Sequence, residues 1–447
     1  MRFIRQFFLK LLSLSLLTVL FGCASTSHYI QIENKIQTND YEDALSVIEQ
    51  SKGAYGDNNA VLYWMDKGII LHFAGKYEES NDVLAKAELK IEELYTKSIT
   101  GEIGAMFTND LTLPYEGEDF EKVMVNLFMA MNYIYLNKSE DALVEIRKID
   151  NKLNIYNSKY EKKNLYNADA FGRYLSGILY DINREINDAF ISYRDAYEVF
   201  ETYQSNYGIP IPNPLMKDIL RVTDALNFSE EHETYFKKSP NLKWIPEKEL
   251  KNKGEFILFI MQGFAPKKEE YTIRVAVPDE KTGVPHYVKL AFPKFVPRPT
   301  DIGYSRVTLH PTEETKDTFL VENITAIAKR NLEDRIDRIY AKTLIRVAAK
   351  TIGTEIARKK ASDSSKGLGT VVGLASIVYA EASEQADIRN WRLLPAEIYM
   401  ARIPVEPGTY DIEIAFLSNS GYTINKKYIT KAEVKKGEKR FFTIRVF

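Results

Sequence analysis

The residue types that most often carry out chemistry are few in this sequence, and they are not grouped. The histidines are His28, His72, His232, His286 and His310. No two of them have the spacing that puts metal ligands on one face of a helix. The sequence has no glycine-rich phosphate loop, no Gly-x-Ser-x-Gly elbow and no His-Glu-x-x-His zinc motif. Carboxylates abound, but the sequence does not bring two of them together as the acid and base of a glycan hydrolase. We therefore expect a binding protein and not an enzyme, with no catalytic residue, no metal and no cofactor.

The single cysteine, Cys23, ends a stretch that has the plan of a secretory signal. The stretch begins with basic residues, continues with an apolar run and places Gly22 before the cysteine. The run is shorter than the roughly 20 residues of a membrane-spanning helix. The tetrapeptide from Leu20 to Cys23 resembles the bacterial lipobox, although Phe21 is bulkier than usual there. This resemblance implies that residues 1–22 are removed as a lipoprotein signal peptide and that Cys23 carries a palmitate-type lipid anchor. The alternative is a free thiol.

Composition and charge indicate a folded protein and argue against nucleic-acid binding. The chain has 60 basic and 62 acidic residues, for a net charge of −2, and removal of the three basic residues of the signal leaves −5. Nucleic-acid binding requires an excess of cations, so no nucleic-acid partner is expected. Apolar residues make up 45% of the chain, which indicates packed cores. Ala24, where some lipoproteins have Asp, implies the outer membrane under the enterobacterial sorting rule.

The N-terminal half contains a repeat in which a small residue is followed four positions later by a large apolar one. Its copies are Ala44/Ile48, Ser80/Leu84, Ala142/Ile146 and Ala189/Tyr193. The second copy, with Trp64, Gly68 and Tyr77, resembles the tetratricopeptide repeat, and so does the fourth, with Gly177 and Tyr180. Such repeats stack into a solenoid whose concave face suits peptides and helices. We predict an α-helical tetratricopeptide-like solenoid over residues 23–240.

Irregular spacing predicts insertions in this array. The first two copies are 36 residues apart, but the next intervals are 62 and 47. The extra residues are expected in loops at about Tyr95–Phe120 and Lys152–Ala168, which are either functional or merely cover a helix. The first copy is expected to be a capping half-repeat, and a last helical segment is predicted from Leu215 to Phe236.

After a polar linker at 241–254, the hydrophobic period changes to that of strands. Strands are predicted at Glu255–Gln262, Tyr271–Val277, Tyr287–Phe292, Ala396–Ile403, Thr409–Phe416 and Phe441–Phe447. An antiparallel β-sandwich-like domain over 255–447 is the natural interpretation, and the whole chain is then α+β.

A helical insertion in the sandwich is predicted at about 321–385. Its segment Gly367–Ala380 is uncharged and too short to span a bilayer alone, so a buried hairpin helix is favoured over membrane insertion. A stripe of cations four residues apart precedes this segment, formed by Arg338, Lys342, Arg346 and Lys350. Such a stripe is either solvated or paired with acids, or it binds an anionic partner such as lipid headgroups or an envelope polymer.

The elements Tyr115–Phe120 and Gln385–Ile398 carry a second resemblance. With them the chain resembles an uncharacterised family of bacterial lipoproteins that have tetratricopeptide-like repeats and a C-terminal β domain. The resemblance covers nearly the whole chain after the signal, and it implies no activity, ligand or site. Trp391, Arg392 and Pro395 form its most specific part. They have two interpretations, either closing the helical insertion onto the sheet or contacting a ligand.

The favoured function is a non-catalytic scaffold or adaptor of the cell envelope, tethered by lipid, with a protein partner in the groove of the repeats. The alternative is binding of a glycan or polysaccharide by the sandwich and the cation stripe. A hydrolase would instead require a deep pocket with convergent carboxylates.

Overall fold

The computed structural model describes residues 28–105, 110–158, 165–277, 286–364 and 384–447. Cys23 with the signal at 1–22, and the uncharged segment Gly367–Ala380, lie outside these ranges. Within them, no helix combines the length and the apolar character that a bilayer crossing requires.

The N-terminal half consists of helices that follow one another in pairs. The described helices are α1 (28–37), α2 (Tyr41–Gln50), α3 (Lys52–Tyr55), α4 (Ala60–Phe73), α5 (Tyr77–Ala105), α6 (Asp119–Tyr135), α7 (Ser139–Ser158), α8 (Ala170–Ile182), α9 (Ile186–Tyr207), α10 (Asn213–Leu226), α11 (Ser229–Lys238) and α12 (Glu247–Leu250). Short 3-10 turns lie at Asp57–Asn59 and Asp110–Thr112. The predicted helical-repeat half is thereby confirmed.

In each helix pair, the turn between the two helices contains one residue with a left-handed backbone conformation. These residues are Asn39, Gly75, Asn137, Arg184 and Asn227, with φ between 57° and 76°. Asparagine and glycine adopt this conformation most readily, and only one of the five turns uses another residue. The shared turn marks five helix pairs in the described residues. The prediction of a first half-repeat was wrong, because α1 pairs with α2. The last helical segment, predicted from Leu215 to Phe236, is present and forms the pair of α10 and α11.

Small residues at the repeat-signature positions let paired helices approach closely. A Cβ on Gly68 of α4 would lie 2.5 Å from Leu84 on α5, and one on Gly177 of α8 would lie 2.3 Å from the ring of Tyr193 on α9. Contacts this short exclude any larger residue unless the neighbouring side chain or the helix moves. Among the other signature residues, the small Ala142 and Ala189 are fully buried, and the large Trp64, Tyr77 and Tyr180 are half-buried.

The two predicted insertions are largely helical where they are described. Helix α5 continues ten residues beyond Tyr95, to Ala105, and α7 continues beyond Lys152 to Ser158. The expectation of long loops from Tyr95 and Lys152 was therefore wrong. Salt bridges along the extended helices, such as Lys97 to Glu93 at 2.5 Å, fit a helical conformation because residues four apart face each other.

The C-terminal half contains ten strands and two helices in the described residues. They are β1 (Gly254–Gln262), β2 (Lys267–Val277), β3 (His286–Val296), β4 (Tyr304–His310), β5 (Glu314–Asp317), β6 (Phe319–Asn323), α13 (Ile324–Asp334), α14 (Ile336–Ser364), β7 (Glu397–Val405), β8 (Gly408–Leu417), β9 (Thr423–Val434) and β10 (Lys439–Val446). Sheet and helix together confirm the α+β class.

Two four-stranded sheets and one ribbon make up the β structure. The inner sheet has the order β10-β1-β7-β6, the outer sheet has the order β5-β4-β8-β9, and β2 pairs with β3 as a separate ribbon. Apolar side chains of both four-stranded sheets form one core between them, as expected for a sandwich. The expectation of a purely antiparallel sandwich was wrong in one pair, because β1 and β10 run parallel.

Strand β1 is buried at every position because both of its faces are covered. Phe256, Leu258 and Ile260 face the outer sheet, whereas Ile257 and Phe259 belong to the core of the helical half. The inner sheet is thus the middle layer of three, between the repeats and the outer sheet. The continuous apolar sequence of β1 follows from this position, since a strand covered on both faces has no side that faces solvent.

The helical insertion begins later than predicted. Val321 lies on β6, and α13 starts at Ile324, where the Asn323 side chain accepts a hydrogen bond from the backbone N–H of Ala326 at 2.8 Å. Residues 384–390 are not helical. Leu344 on α14 is 53% exposed.

Candidate functional site

The inner helices α4, α6, α8 and α10 of the repeats are covered by the C-terminal half of the same chain. Phe171 on α8 meets Phe259 on β1 with ring centroids 5.7 Å apart, and Phe128 on α6 meets Trp391 at 6.1 Å. The Tyr135 hydroxyl on α6 lies 2.5 Å from the hydroxyl of Thr443 on β10. The predicted partner groove of the solenoid is therefore occupied by the chain itself.

A buried arginine on the inner sheet connects the two halves. Arg402 on β7 donates two hydrogen bonds to the Glu255 carboxylate of β1, at 2.7 and 3.0 Å, and one to the Tyr174 hydroxyl of α8 at 2.9 Å. It also pairs with Asp218 on α10. Burial alone would raise the pKa of Glu255, but the charges of Arg402 and Lys439 outweigh burial and hold that pKa well below its ordinary value.

The same network continues to the linker helix. Lys439 on β10 contacts Glu255 at 2.7 Å and Asp181 at 3.3 Å. Asp181 also accepts a 2.8 Å hydrogen bond from Arg221 on α10, and Arg221 pairs in turn with Glu247 on α12. Three helices and three strands are thereby joined by buried charges. Loss of one member of such a network leaves an uncompensated buried charge.

Trp391, Arg392 and Pro395 lie where the two halves meet. Trp391 is fully buried, and its backbone N–H donates to the Glu121 carboxylate of α6 at 2.7 Å. The Arg392 guanidinium lies 4.6 Å over the ring of Tyr29 on α1, and Pro395 is buried. In the described residues this motif contacts the repeats, and not the sheet alone as the first interpretation held.

The motif around Tyr115 contacts the segment that contains Trp391, since the Arg389 guanidinium lies 5.2 Å over the Tyr115 ring. Glu121 accepts hydrogen bonds from the Tyr115 hydroxyl at 2.5 Å and from the Glu118 backbone N–H at 3.0 Å. Glu118 forms ion pairs with Lys268 on β2 and Arg335 next to α13. Burial raises the pKa of Glu121 to about 7. The two elements that carried the family resemblance thus contact each other, which sequence spacing could not show.

A second carboxyl whose pKa is raised lies among the first helices. Asp66 on α4 accepts hydrogen bonds from the hydroxyls of Tyr29 and Tyr55, each at 2.8 Å. Burial raises the pKa of Asp66 to about 7. A carboxyl that titrates near neutrality can serve as an acid or a base when substrate reaches it. Asp66 is fully buried, so its partners in this structure are the two tyrosines.

The cation stripe of α14 is not one continuous surface. Arg346 is buried and pairs with Glu384 at 2.5 Å, and Lys350 pairs with the same carboxylate at 2.9 Å. A buried guanidinium requires such a partner. Arg338 is exposed and Lys342 is half-buried. Arg346 and Lys350 of the predicted anion-binding stripe are therefore engaged within the chain.

Sequence reasoning missed the charged residues that join the two halves. Arg402 interrupts an apolar strand, and Asp218 and Arg221 lie three residues apart on a helix that is otherwise amphipathic. A charged residue inside an apolar run was the available signal, because such a residue is buried only with a partner. In the described ranges, no three His, Cys, Asp or Glu side chains are grouped as metal ligands.

Solved structures of other proteins resemble about half of this chain. BtubC (BKLC) from P. vanneervenii matches with 11% identity and a TM-score of 0.35, over 50% of this chain and 82% of its own. MamA AMB-1 matches with 14% identity and a TM-score of 0.31, over 49% and 92%. PilW, described as a widely conserved type IV pilus biogenesis factor, matches with 13% identity and a TM-score of 0.24, over 48% and 91%. No family model matches the chain, and no curated protein matches it.

Proposed function

We propose that this chain is a non-catalytic adaptor of the bacterial cell envelope, held at the outer membrane by lipid on Cys23, that binds a protein partner. The lipid tether is supported by the signal-like sequence that ends at Cys23. The partner surface is the outer layer of the repeats, formed by α5, α7, α9 and α11, because the inner helices are covered.

One observation carries the choice of this surface. Four of the five outer helices expose a large apolar residue, with 38% to 67% of its surface accessible: Leu89 on α5, Val144 on α7, Ile191 on α9 and Phe236 on α11. Single exposed apolar residues are ordinary. Their recurrence on four successive outer helices follows the repeat and provides anchors along one layer, as in extended repeat-protein interfaces.

Site-specific photocrosslinking in cells tests this proposal. A photoreactive residue at Leu89 or Val144 is expected to give the same crosslinked protein product from both positions. Thr315, exposed on β5 of the outer sheet, is the control position and is expected not to give that product. Absence of a reproducible product at Leu89 and Val144, or the same product at Thr315, would reject the outer layer as the partner surface. Fractionation of a Cys23→Ser variant tests the tether separately.

Glycan binding is the second candidate, and the outer sheet favours it. Tyr422 is 76% exposed just before β9, and Tyr428 on β9 is 60% exposed. Exposed tyrosines present a flat amphipathic ring, which suits contact with a sugar. Retention on isolated cell wall is expected to fall for Tyr422→Ala together with Tyr428→Ala, and to stay unchanged for Arg338→Glu, a charge reversal at an exposed position of α14. No retention of the parent protein would reject this function.

A further inference from the structure

Four cationic side chains meet where α1, β9, β10 and the segment after Trp391 come together. We define the cation cluster as Arg298, Arg392, Lys427 and Arg445. Arg298 and Arg392 share one carboxylate, with guanidinium nitrogens 2.8 and 3.2 Å from Glu33 Oε1. Within the described residues, Glu33 is the one carboxylate that forms an ion pair with the cluster. Four positive charges therefore meet one negative charge.

Arg445 is the most unusual member of the cluster. It is 3% exposed, and its guanidinium donates to the backbone carbonyls of Met261 at 3.1 Å and Leu393 at 3.5 Å. The ring of Phe264 lies against it at 5.1 Å and also against Arg298 at 4.7 Å. A buried arginine is ordinarily paired with a carboxylate. Arg445 has none among the described residues, and its Nε has no hydrogen-bond partner.

Two further facts show that the cluster has unused hydrogen-bond donors and a member that is only half-buried. The Nε atom of Arg392 is also buried without a hydrogen-bond partner. Lys427 is half-buried on β9, and its Nζ contacts only neutral oxygens in the described residues, Asn39 Oδ1 at 3.1 Å and the Arg445 carbonyl at 2.8 Å. Lys427, Arg298 and Arg392 are thus partly exposed, whereas Arg445 is buried.

We propose that the cation cluster binds an oxyanion of the phosphate class. The guanidinium fork matches phosphate oxygens in geometry, and the lysine adds a point charge. The oxyanion would offset the excess positive charge and give the unpartnered nitrogens an acceptor. This site lies apart from the outer helices and goes beyond the adaptor function.

The phosphate group has two possible sources, a lipid headgroup and free phosphate. Helix α1 supplies Glu33 to the cluster and begins five residues after Cys23. If Cys23 is lipidated as proposed above, the cluster lies close to the membrane surface, where headgroup phosphates are concentrated. The headgroup source therefore rests on the proposed tether, whereas the oxyanion site does not.

The test measures the thermal stability of the full chain in detergent as inorganic phosphate is added, against sodium chloride of equal ionic strength. Phosphate is expected to raise the Tm, and the apparent phosphate affinity is expected to be about tenfold weaker in Lys427→Met, as for loss of one charge-assisted hydrogen bond. Lys426→Met is the matched control, because Lys426 is the neighbouring residue on β9 and pairs with Glu413 at 2.8 Å on the other face of the strand. Arg298→Met provides a second variant at a partly exposed member of the cluster.

Three outcomes are informative. Stabilisation by phosphate and also by phosphatidylglycerol vesicles, compared with phosphatidylcholine vesicles, supports the site with a headgroup source. Stabilisation by phosphate alone supports the site with a free anion, and it remains observable in Cys23→Ser even if the tether proposal fails. Absence of any phosphate effect in the parent chain, or equal weakening by Lys427→Met and Lys426→Met, would overturn the proposal.

Discussion

Replacement of Glu322 by glutamine should remove a large part of the pH dependence of stability. Glu322 lies on β6 at the contact with the repeats and is fully buried, and neither of its carboxylate oxygens has a hydrogen-bond partner in the described structure. Burial, together with the nearby charge of Asp169, raises the pKa of Glu322 well above its ordinary value. The folded protein therefore keeps this proton at pH values at which the unfolded chain has already lost it.

The size of the effect follows from this difference. Because the folded state holds a proton that the unfolded state has lost, the stabilising contribution is complete below about pH 4.5 and decreases as the pH rises toward the folded pKa. Within that window one group lowers the free energy of unfolding by about 1.4 kcal/mol per pH unit. The parent protein should therefore lose stability through Glu322 as the pH rises above about 4.5 toward the raised pKa of the folded state. Glu322→Gln has no proton to lose, so its stability relative to the parent should rise with pH over that window.

Urea unfolding at pH 5, 6 and 7 measures this difference. The carboxyls of Asp66 and Glu121, whose pKa values burial raises to about 7, titrate in the same range. They are present in both proteins and cancel in the comparison. Glu230→Gln, at an exposed position on α11, is the control and should follow the parent at every pH. If the curves of Glu322→Gln and the parent stayed parallel from pH 5 to pH 7, the assignment of a buried, protonated Glu322 would be refuted.

Three further substitutions test the packing and the charges. Gly177→Ala should destabilise by about 1–3 kcal/mol, because its Cβ would lie 2.3 Å from Tyr193, whereas Gly53→Ala, with open space around it, should be neutral or stabilising in the same denaturation assay. Arg402→Met should cost about 3–5 kcal/mol by removing a buried cationic partner from both Asp218 and Glu255, whereas Arg306→Met, in an exposed pair with Asp317, should cost less than about 1 kcal/mol; similar losses would contradict the role given to burial. Arg184→Asn should raise the Tm slightly, since its φ of 68° suits asparagine, and Asn137→Arg should lower it; a change of the opposite sign in either would contradict the turn assignment.

The helical half was predictable because its repeat is local. Gly68 and Leu84, or Gly177 and Tyr193, lie sixteen residues apart and contact each other within one helix pair, so spacing along the chain carries the information. The number of pairs was harder to predict. The fifth pair lacks a clear small residue at the signature position, and its turn residue, Asn227, is recognised only through its left-handed conformation.

The strands that were predicted differ physically from those that were missed. Strand β1 was found because its apolar run is continuous, and that same run was the available sign that both faces are covered. Strand β9 was missed because it lies at the edge of the outer sheet and carries lysines, which natural edge strands use to prevent pairing with other chains. Strand β6 was missed because it runs directly into α13, and its short apolar sequence was taken as the start of that helix.

The site could be predicted least, because its contacts join distant parts of the chain. The Arg402 to Asp218 pair spans 184 residues, and the Trp391 to Glu121 hydrogen bond spans 270. Neither spacing nor composition identifies such partners. What the sequence did provide was the presence of Trp391 and of the Tyr115 motif, without their contact.

The position of β10 has a consequence for how the chain reaches its native state. This strand pairs in parallel with β1, which precedes it by about 180 residues. Its Lys439 contacts Asp181 on α8, and its Thr443 contacts Tyr135 on α6. The apolar side of the inner helices therefore cannot be fully covered until β10 has been synthesised and has paired with β1. A product that terminates before residue 439 would retain an uncovered apolar layer and should be degraded or held by chaperones, so that only complete molecules accumulate.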